Sequence, residues 1–165
     1  MPSSIKRLIL AATWSSLAAA TAGAQAAGSV ELRWVQPEQF SDIGTRPWLR
    51  ESTLKSLGEH IQQLGRLLPD GQALQIEVTD VDLAGEIDHS SWQQVRVLRG
   101  RADFPHIALH YTLLADGRSL KSGEAQLSDL NYLGPPYLYP SRQTDLAYEK
   151  RMLERWFRET FAIAP

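Results

Sequence analysis

Five side chains that could bind a cation or transfer protons lie close together between residues 80 and 89. They are Asp80, Asp82, Glu86, Asp88 and His89. Oxygen ligands at alternating positions suit a hard cation such as calcium, and a carboxylate pair suits acid–base work. The run does not match the helix–loop–helix calcium motif, which requires Asp, Gly and Glu at fixed positions. Because charge clusters are usually solvated, we interpret it as a solvated strand end that contributes to ligand binding.

A second candidate binding segment extends from Asn131 to Arg142 and combines three tyrosines with three prolines. Tyrosines on a stiff backbone offer flat apolar area at a low cost in conformational entropy. The alternative is that the tyrosines cover the open face of a sheet. The predicted ligand-binding residues of the two segments are Asp80, Asp82, Asp129, Asn131, Tyr132, Tyr137, Tyr139 and Arg142.

One sequence pattern suggests metal binding and another suggests nucleophilic catalysis. The distance between the residues excludes the first, and the order of the motifs excludes the second. His106 and His110 would lie roughly 13 Å apart on a strand, too far to share one zinc ion. Ser52 and Lys55 have the spacing found in penicillin-recognising serine enzymes. The other two motifs of those enzymes occur here in the wrong order, and one has its Asn displaced by one residue. We therefore predict no catalytic residue, no metal ligand and no cofactor.

The first thirty residues contain no acid and are typical of a secretory signal peptide. Lys6 and Arg7 precede an apolar run from Leu8 to Ala20, and small residues follow it. The run is too short and too polar to span a membrane, which requires about 20 apolar residues. We expect cleavage after Ala24, with Ala26 as the alternative, and a periplasmic mature protein without a membrane span.

The remaining residues 25–165 are predicted to form a single domain. About 140 residues are enough for one ordinary hydrophobic core. The chain has no cysteine, which excludes a lipoprotein anchor, disulfides and thiolate metal sites. It has 17 Lys and Arg against 19 Asp and Glu, and the signal peptide removes two of the cations. The mature form is therefore acidic, and we expect no nucleic-acid partner.

Apolar residues at steps of three and four predict two amphipathic helices. The first runs from Pro47 to Leu68, since Pro47 can begin a helix and the turn that follows Leu68 must end it. The second runs from Thr144 to Ala162, with Thr144 as its N-cap. His60 lies beside the first apolar stripe, and we expect it to be exposed.

Alternating apolar and polar residues predict the strands. They cover Val30–Val35, Ala73–Leu83, a short stretch at Val95 and Val97, Ile107–Leu113 and Arg118–Leu127. The dipeptide Asp116-Gly117 predicts a hairpin between the last two. Near Thr79 the apolar phase slips by one residue, so either the strand ends there or a bulge re-aims its side chains.

This order of elements predicts an α+β two-layer sandwich. We expect a mostly antiparallel sheet of about four to five strands, with both amphipathic helices on one face. Phe40 and Ile43 are expected to fold back onto the core from the loop after the first strand.

Several short strings together resemble the bacterial exported-protein family catalogued as domain of unknown function 3016. The strings are Val78–Gly85, Tyr111–Leu114, Lys121–Glu124, Leu127–Tyr132, Tyr148–Leu153 and Trp156–Arg158. The resemblance spans nearly the whole mature chain. It implies an exported proteobacterial protein, and it supplies no activity, ligand or catalytic residue.

The functional expectation is a periplasmic, non-enzymatic module that binds a small envelope ligand or an envelope protein. A carboxylate- or metal-dependent hydrolase is the alternative, because the carboxylates near residue 80 could support acid–base chemistry. A structural envelope protein is the third possibility. No carboxylate is tied by a motif to an activated water or nucleophile, which favours the binding module. The oligomeric state stays open.

Overall fold

The computed structural model describes residues 27–88, 96–100, 102–134 and 146–163. In chain order its elements are β1 (Ser29–Trp34), a 3-10 helix (Pro37–Gln39), α1 (Pro47–Gly65), β2 (Gln72–Asp82), β3 (Glu86–Ile87), β4 (Arg96–Val97), β5 (His106–Ala115), β6 (Arg118–Ser128) and α2 (Ala147–Phe161). Within these ranges no helix is long and apolar enough to cross a membrane.

The main sheet has four strands in the order β1-β2-β5-β6, and β3 pairs with β4 in a separate two-stranded sheet. The β2–β5 and β5–β6 pairs are antiparallel, whereas β1 and β2 are parallel. The parallel pair arises because α1 carries the chain back to the starting edge, as a crossover helix does. The predicted α+β class is confirmed, with a mixed four-stranded sheet.

Both helices contribute to a single core with the inward side chains of the sheet. The helices supply Leu57, Ile61, Leu64, Met152, Leu153, Trp156 and Phe157, and the strands supply Leu74, Ile76, Val78, Val81, Ile107, Leu109, Leu113 and Leu127. Phe40 and Ile43 also join this core, as the sequence predicts. The helices therefore lie on one face of the sheet, which we call the helix face.

The helix bounds differ slightly from the sequence prediction. Pro47 begins α1 as expected, but the helix ends at Gly65 rather than Leu68. After Gly65, backbone N–H groups donate to carbonyls three residues earlier, which tightens the chain through Leu68. Leu68 stays buried. At Gly65 the helix passes so close to β1 that a Cβ would lie 2.3 Å from Val30 Cγ2. α2 begins at Ala147, and the predicted N-cap, Thr144, lies outside the described residues.

The predicted hairpin turn between β5 and β6 is confirmed. Its two central residues, Asp116 and Gly117, have φ values of 50° and 74°. Two consecutive positive φ angles match the twist of the flanking strands, and the Asp-Gly pair tolerates them at low cost. The hairpin brings β6 to the sheet edge that lies farthest from β1.

A β-bulge at Thr79 explains the phase slip in β2. Val78 pairs with Leu109 and Asp80 pairs with Ala108, so Thr79 is the extra residue. Its hydroxyl donates a hydrogen bond to the Ala108 carbonyl over 3.3 Å. After the bulge the core side of β2 continues at Val81, and the carboxylates turn to the other side of the sheet. Of the two sequence interpretations, the bulge is correct.

Deleting single residues of β2 tests this assignment. Without Thr79 every other side chain keeps its face, so we expect a folded protein that is less stable by about 1 kcal/mol, the cost of one hydrogen bond. Without Glu77, Thr79 no longer bulges out of the strand and takes the core position of Val78. We expect the free energy of unfolding to fall by about 2 kcal/mol more than without Thr79, because apolar burial is lost. Urea unfolding measures both losses. Equal losses would show that Thr79 is not the extra residue.

Candidate functional site

The face of the main sheet opposite the helices carries mostly polar side chains, and we call it the open face. Its polar side chains are Glu31, Arg33, Gln75, Glu77, Asp80, Asp82, His106, His110, Thr112, Ser122, Glu124 and Gln126. These side chains are exposed or half-buried. The period of two in each strand places them here, because the alternate positions fill the core.

Asp80 organises one end of the open face. Its carboxylate accepts hydrogen bonds from the backbone N–H of Ser41 at 2.7 Å and from the Ser41 hydroxyl at 2.8 Å. The imidazole of His106 lies beside it, with Nδ1 3.8 Å from Asp80 Oδ2. The other ring nitrogen of His106 donates to Gln126 Oε1 over 2.9 Å. Asp80 therefore attaches the loop after β1 to the end of β2.

Two further carboxylates join Asp80 because the loop after β1 pairs with the end of β2. Asp42 forms an isolated parallel bridge with Asp82. Its N–H donates to the Val81 carbonyl over 3.0 Å, and its own carbonyl accepts from Leu83 N over 3.1 Å. We refer to Asp42, Asp80 and Asp82 as the acidic cluster.

Charge and burial act together on Asp82. Its partial burial raises the pKa of its carboxyl, and the nearby charges of Asp42 and Asp80 raise it further. His106 and Arg96 oppose this shift, but they do not cancel it. Asp82 is thus the carboxyl of this cluster that takes up a proton more readily than an isolated aspartate.

Arg96 of β4 supplies the cation of this region. Its Nη1 lies 2.9 Å from Asp42 Oδ2, and the same group donates to backbone carbonyls of residues 83–85. Arg96 is half-buried and links the small sheet to the acidic cluster.

The acidic cluster does not have the geometry of a metal centre. Across the described ranges, no group of three or more His, Asp or Glu side chains is arranged to hold a metal ion. His106 and His110 do lie on one face, as their spacing predicts, and each contacts a different partner. The arrangement can present negative charge to solvent and exchange a proton at Asp82.

The predicted residue Asp129 lies on the helix face and not beside Asp80. It follows β6 and is 6% exposed. The guanidinium groups of Arg151 and Arg155 on α2 each lie 3.6 Å from its Oδ2. Its other oxygen accepts a hydrogen bond from the N–H of Asn131 over 3.2 Å, which closes a turn. Asp129 therefore attaches the end of the sheet to α2.

Tyr132 is fully buried, contrary to the exposed role suggested by its loop. Its hydroxyl donates to Asp103 Oδ1 over 2.7 Å and accepts from the N–H of Gly100 over 3.2 Å. Its ring packs edge-on against Tyr148 of α2, with centroids 4.9 Å apart. Burial and the bond to Asp103 raise the pKa of the phenol. Tyr132 thus joins α2 to the loop before β5.

The structure does not bring the predicted site residues into one cleft. Asp80 and Asp82 belong to the open face, whereas Asp129 and Tyr132 pack on the helix face. Asn131 is exposed in the turn between them. The other predicted residues, Tyr137, Tyr139 and Arg142, lie outside the described residues.

Two polar residues of the helices have roles that the sequence did not reveal. Glu149 of α2 is 2% exposed and accepts a hydrogen bond from Ala84 N over 2.8 Å. His60, expected to be exposed, lies between the helices and donates from Nε2 to the Lys150 carbonyl over 2.9 Å. Burial lowers the pKa of His60. Neither residue carries a local signal for these contacts, because their partners are distant in sequence.

Fold and site together define an α+β domain with one polar, acidic sheet face. The sequence matches the family described as protein of unknown function (DUF3016) over residues 28–159. The chain therefore belongs to this family, as its sequence strings suggested. No curated protein matches the chain.

Among solved structures, the chain is similar to protein XCC0632 from Xanthomonas campestris, which carries the family description DUF330. The two share 15% identity over 83% of this chain and 81% of the other, with a TM-score of 0.29. A similarity at that level carries no argument about fold or function.

Replacing Tyr132 with Phe tests its role in joining α2 to the rest of the domain. The substitution keeps the ring but leaves Asp103 and Gly100 N without their partner. We expect the free energy of unfolding to fall by about 1.5 kcal/mol, measured by urea unfolding. Tyr111→Phe is the control, and we expect its change to stay within about 0.5 kcal/mol. A loss no larger than that of the control would contradict the structural role.

The raised pKa of Asp82 predicts a specific pH dependence. Folding disfavours its ionised form, so the folded state loses stability as pH rises from the ordinary value of 3.8 through the raised pKa. Asp82→Asn removes this loss. We expect it to increase the free energy of unfolding at neutral pH by about 0.5 kcal/mol, an amount reduced by solvent screening.

The gain from Asp82→Asn should disappear once the carboxyl is protonated in both folded and unfolded states, below the ordinary value of 3.8. Thermal unfolding at neutral and acidic pH measures it. Asp70→Asn, in the exposed turn after α1, should show no gain at either pH. Destabilisation by Asp82→Asn at neutral pH would show that the ionised carboxylate is stabilising.

Proposed function

We propose that the mature protein is an exported, non-enzymatic binding module of the periplasm. We further propose that it binds an envelope protein or a small envelope ligand through the open face of its sheet. The signal-peptide pattern of the first residues supports export. The alternation of β2, β5 and β6 leaves a broad polar surface that the two helices do not cover.

The acidic cluster is the observation that carries this proposal. Three separate pairings, from Ser41, from Asp42 and from Arg96, hold like charges together at one end of the open face. Partial burial, and then repulsion from Asp42 and Asp80, raise the pKa of Asp82, which means that the arrangement costs stability. Proteins keep perturbed carboxyls of this kind more often at functional sites than elsewhere.

A carboxylate-dependent hydrolase is the second candidate, and the same cluster favours it. Asp82 has a raised pKa and lies near His106, so one group could donate a proton while the other accepts one. However, the Ser41 hydroxyl in this cluster donates directly to the Asp80 carboxylate over 2.8 Å and not to His106, so it lacks the serine–imidazole–acid order of an activated nucleophile. Binding without turnover is therefore the better-supported function.

Site-directed photo-crosslinking in living cells tests the proposed binding face. A photoreactive amino acid replaces Glu124, which is exposed on β6, and in a matched strain it replaces Glu51, which is exposed on α1. We expect discrete adducts from the Glu124 position, carried by a periplasmic chain that begins at Gln25 or Ala27. The Glu51 position should yield few adducts.

Two outcomes would contradict the proposal. Equal adduct patterns from both positions would show that the open face is not the preferred contact surface. Recovery of the protein only in the cytoplasm, with its first residues retained, would contradict export. Turnover of an envelope substrate that is lost in Asp82→Asn would replace binding with the hydrolase function.

A further inference from the structure

The charges of the described residues are unevenly distributed between the two faces of the domain. The open face carries the carboxylates of Glu31, Glu77, Asp80, Asp82 and Glu124, with the guanidinium of Arg33 among them, and Asp42 and Arg96 form an ion pair at its edge. On the helices the charges are mixed: α1 has two cations and two acids, and α2 has four cations and three acids. The open face is therefore a surface of one dominant sign, which attracts partners of the opposite sign.

The acids on the open face outside the acidic cluster have only weak partners. Arg33 lies 2.6 Å from Glu77, but the Arg33 side chain is largely exposed and that of Glu77 is half-exposed. His110 lies 2.9 Å from Glu124, where both are also exposed. Exposed pairs of this kind contribute little to stability. A cation from a partner can therefore take over these carboxylates at little cost.

A shallow groove lies on the open face across β1, β2 and β5. It is lined by Glu31, Arg33, Gln75, Glu77, His110 and Thr112 and has a volume of about 340 Å³. This volume is at the lower end of the roughly 300–1,000 Å³ of small-molecule sites. The groove thus has room for a long side chain from a partner, with Glu31 and Glu77 as its acids.

The groove and the acidic cluster lie along the same strand, β2. From Glu77 to Asp82 the strand advances four ladder positions, because Thr79 is bulged out. At about 3.3 Å per position the two acidic areas are roughly 13 Å apart. In an extended chain, residues four positions apart point to the same side and are separated by the same distance.

From this charge complementarity and spacing we propose that the open face binds an extended, basic segment of another exported protein. One Lys or Arg of the segment enters the groove beside Glu31 and Glu77, and a second, four residues away, reaches Asp80 and Asp82. This inference rests on the proposed function of the open face and specifies the chemistry of its partner. It requires no metal and no covalent step.

The test uses the exported chain and short serine-rich peptides. The first peptide carries two lysines four positions apart, the second has the lysines adjacent, and the third has glutamates in place of the spaced lysines. We expect the spaced-lysine peptide to bind and the glutamate peptide not to bind. We expect the adjacent-lysine peptide to bind about threefold more weakly, because its lysines point to opposite sides.

Matched charge variants locate the binding surface. Glu31→Gln, Glu77→Gln and Asp82→Asn together remove three carboxylates from the open face. Glu51→Gln, Glu59→Gln and Glu159→Gln together remove three exposed carboxylates from the helices. We expect the first set to weaken binding of the spaced-lysine peptide by at least about tenfold and the second by less than about threefold. Circular dichroism and thermal unfolding verify that both variants are folded.

The failures of the two proposals are distinguishable. If both variants weaken binding equally, the peptide responds only to net charge and the basic-segment inference is wrong. If no peptide binds while Glu124 still yields crosslinked adducts, the open face binds a partner of other chemistry, so only the inference fails. If peptides fail to bind and no adducts form, both the inference and the proposed function are wrong.

Discussion

A single extra residue, Thr79, determines which chemistry the sheet presents on each side. A strand alternates its side chains strictly, so a regular β2 with Val78 in the core would also turn Asp80 and Asp82 toward it. The bulge absorbs one residue and shifts the phase, so that Val81 takes the next core position. Burying unpaired carboxylates in the core would be far costlier than this local irregularity.

The same bulge has consequences beyond β2. Once Asp80 is on the open face, it can bond to Ser41, and the loop after β1 can pair with Asp82 through Asp42. Arg96 then bonds to Asp42 and links the small sheet to the end of the large one. The bulge in β2 thus brings carboxylates from β2 and from the loop after β1 together at one end of the open face.

On the helix face, polar side chains are buried and join segments of the chain, whereas those of the open face point to solvent. Asp129, Tyr132 and Glu149 are buried there, and each has a partner that joins α2 to another segment. Hydrogen bonds satisfy the polar groups of Tyr132 and Glu149, whereas the buried Asp129 Oδ2 is held only by the charges of two guanidinium groups 3.6 Å away. These residues therefore join α2 to the end of the sheet and to the neighbouring loops, and the helices leave the open face uncovered.

The sequence alone determined the features that depend on neighbouring residues. Periodicity predicted both helices and the hairpin, the phase slip indicated a bulge at Thr79, and the strings of the chain indicated its family. The tertiary structure decided the parallel pairing of β1 with β2, the ion pair of Asp42 with Arg96, the burial of Tyr132 and the partial burial of His60. These features depend on contacts between residues distant in the chain, and the same polar or aromatic residue suits a solvated loop or a satisfied interior. Local pattern cannot distinguish the two, because the difference in free energy comes from partners that only the folded chain supplies.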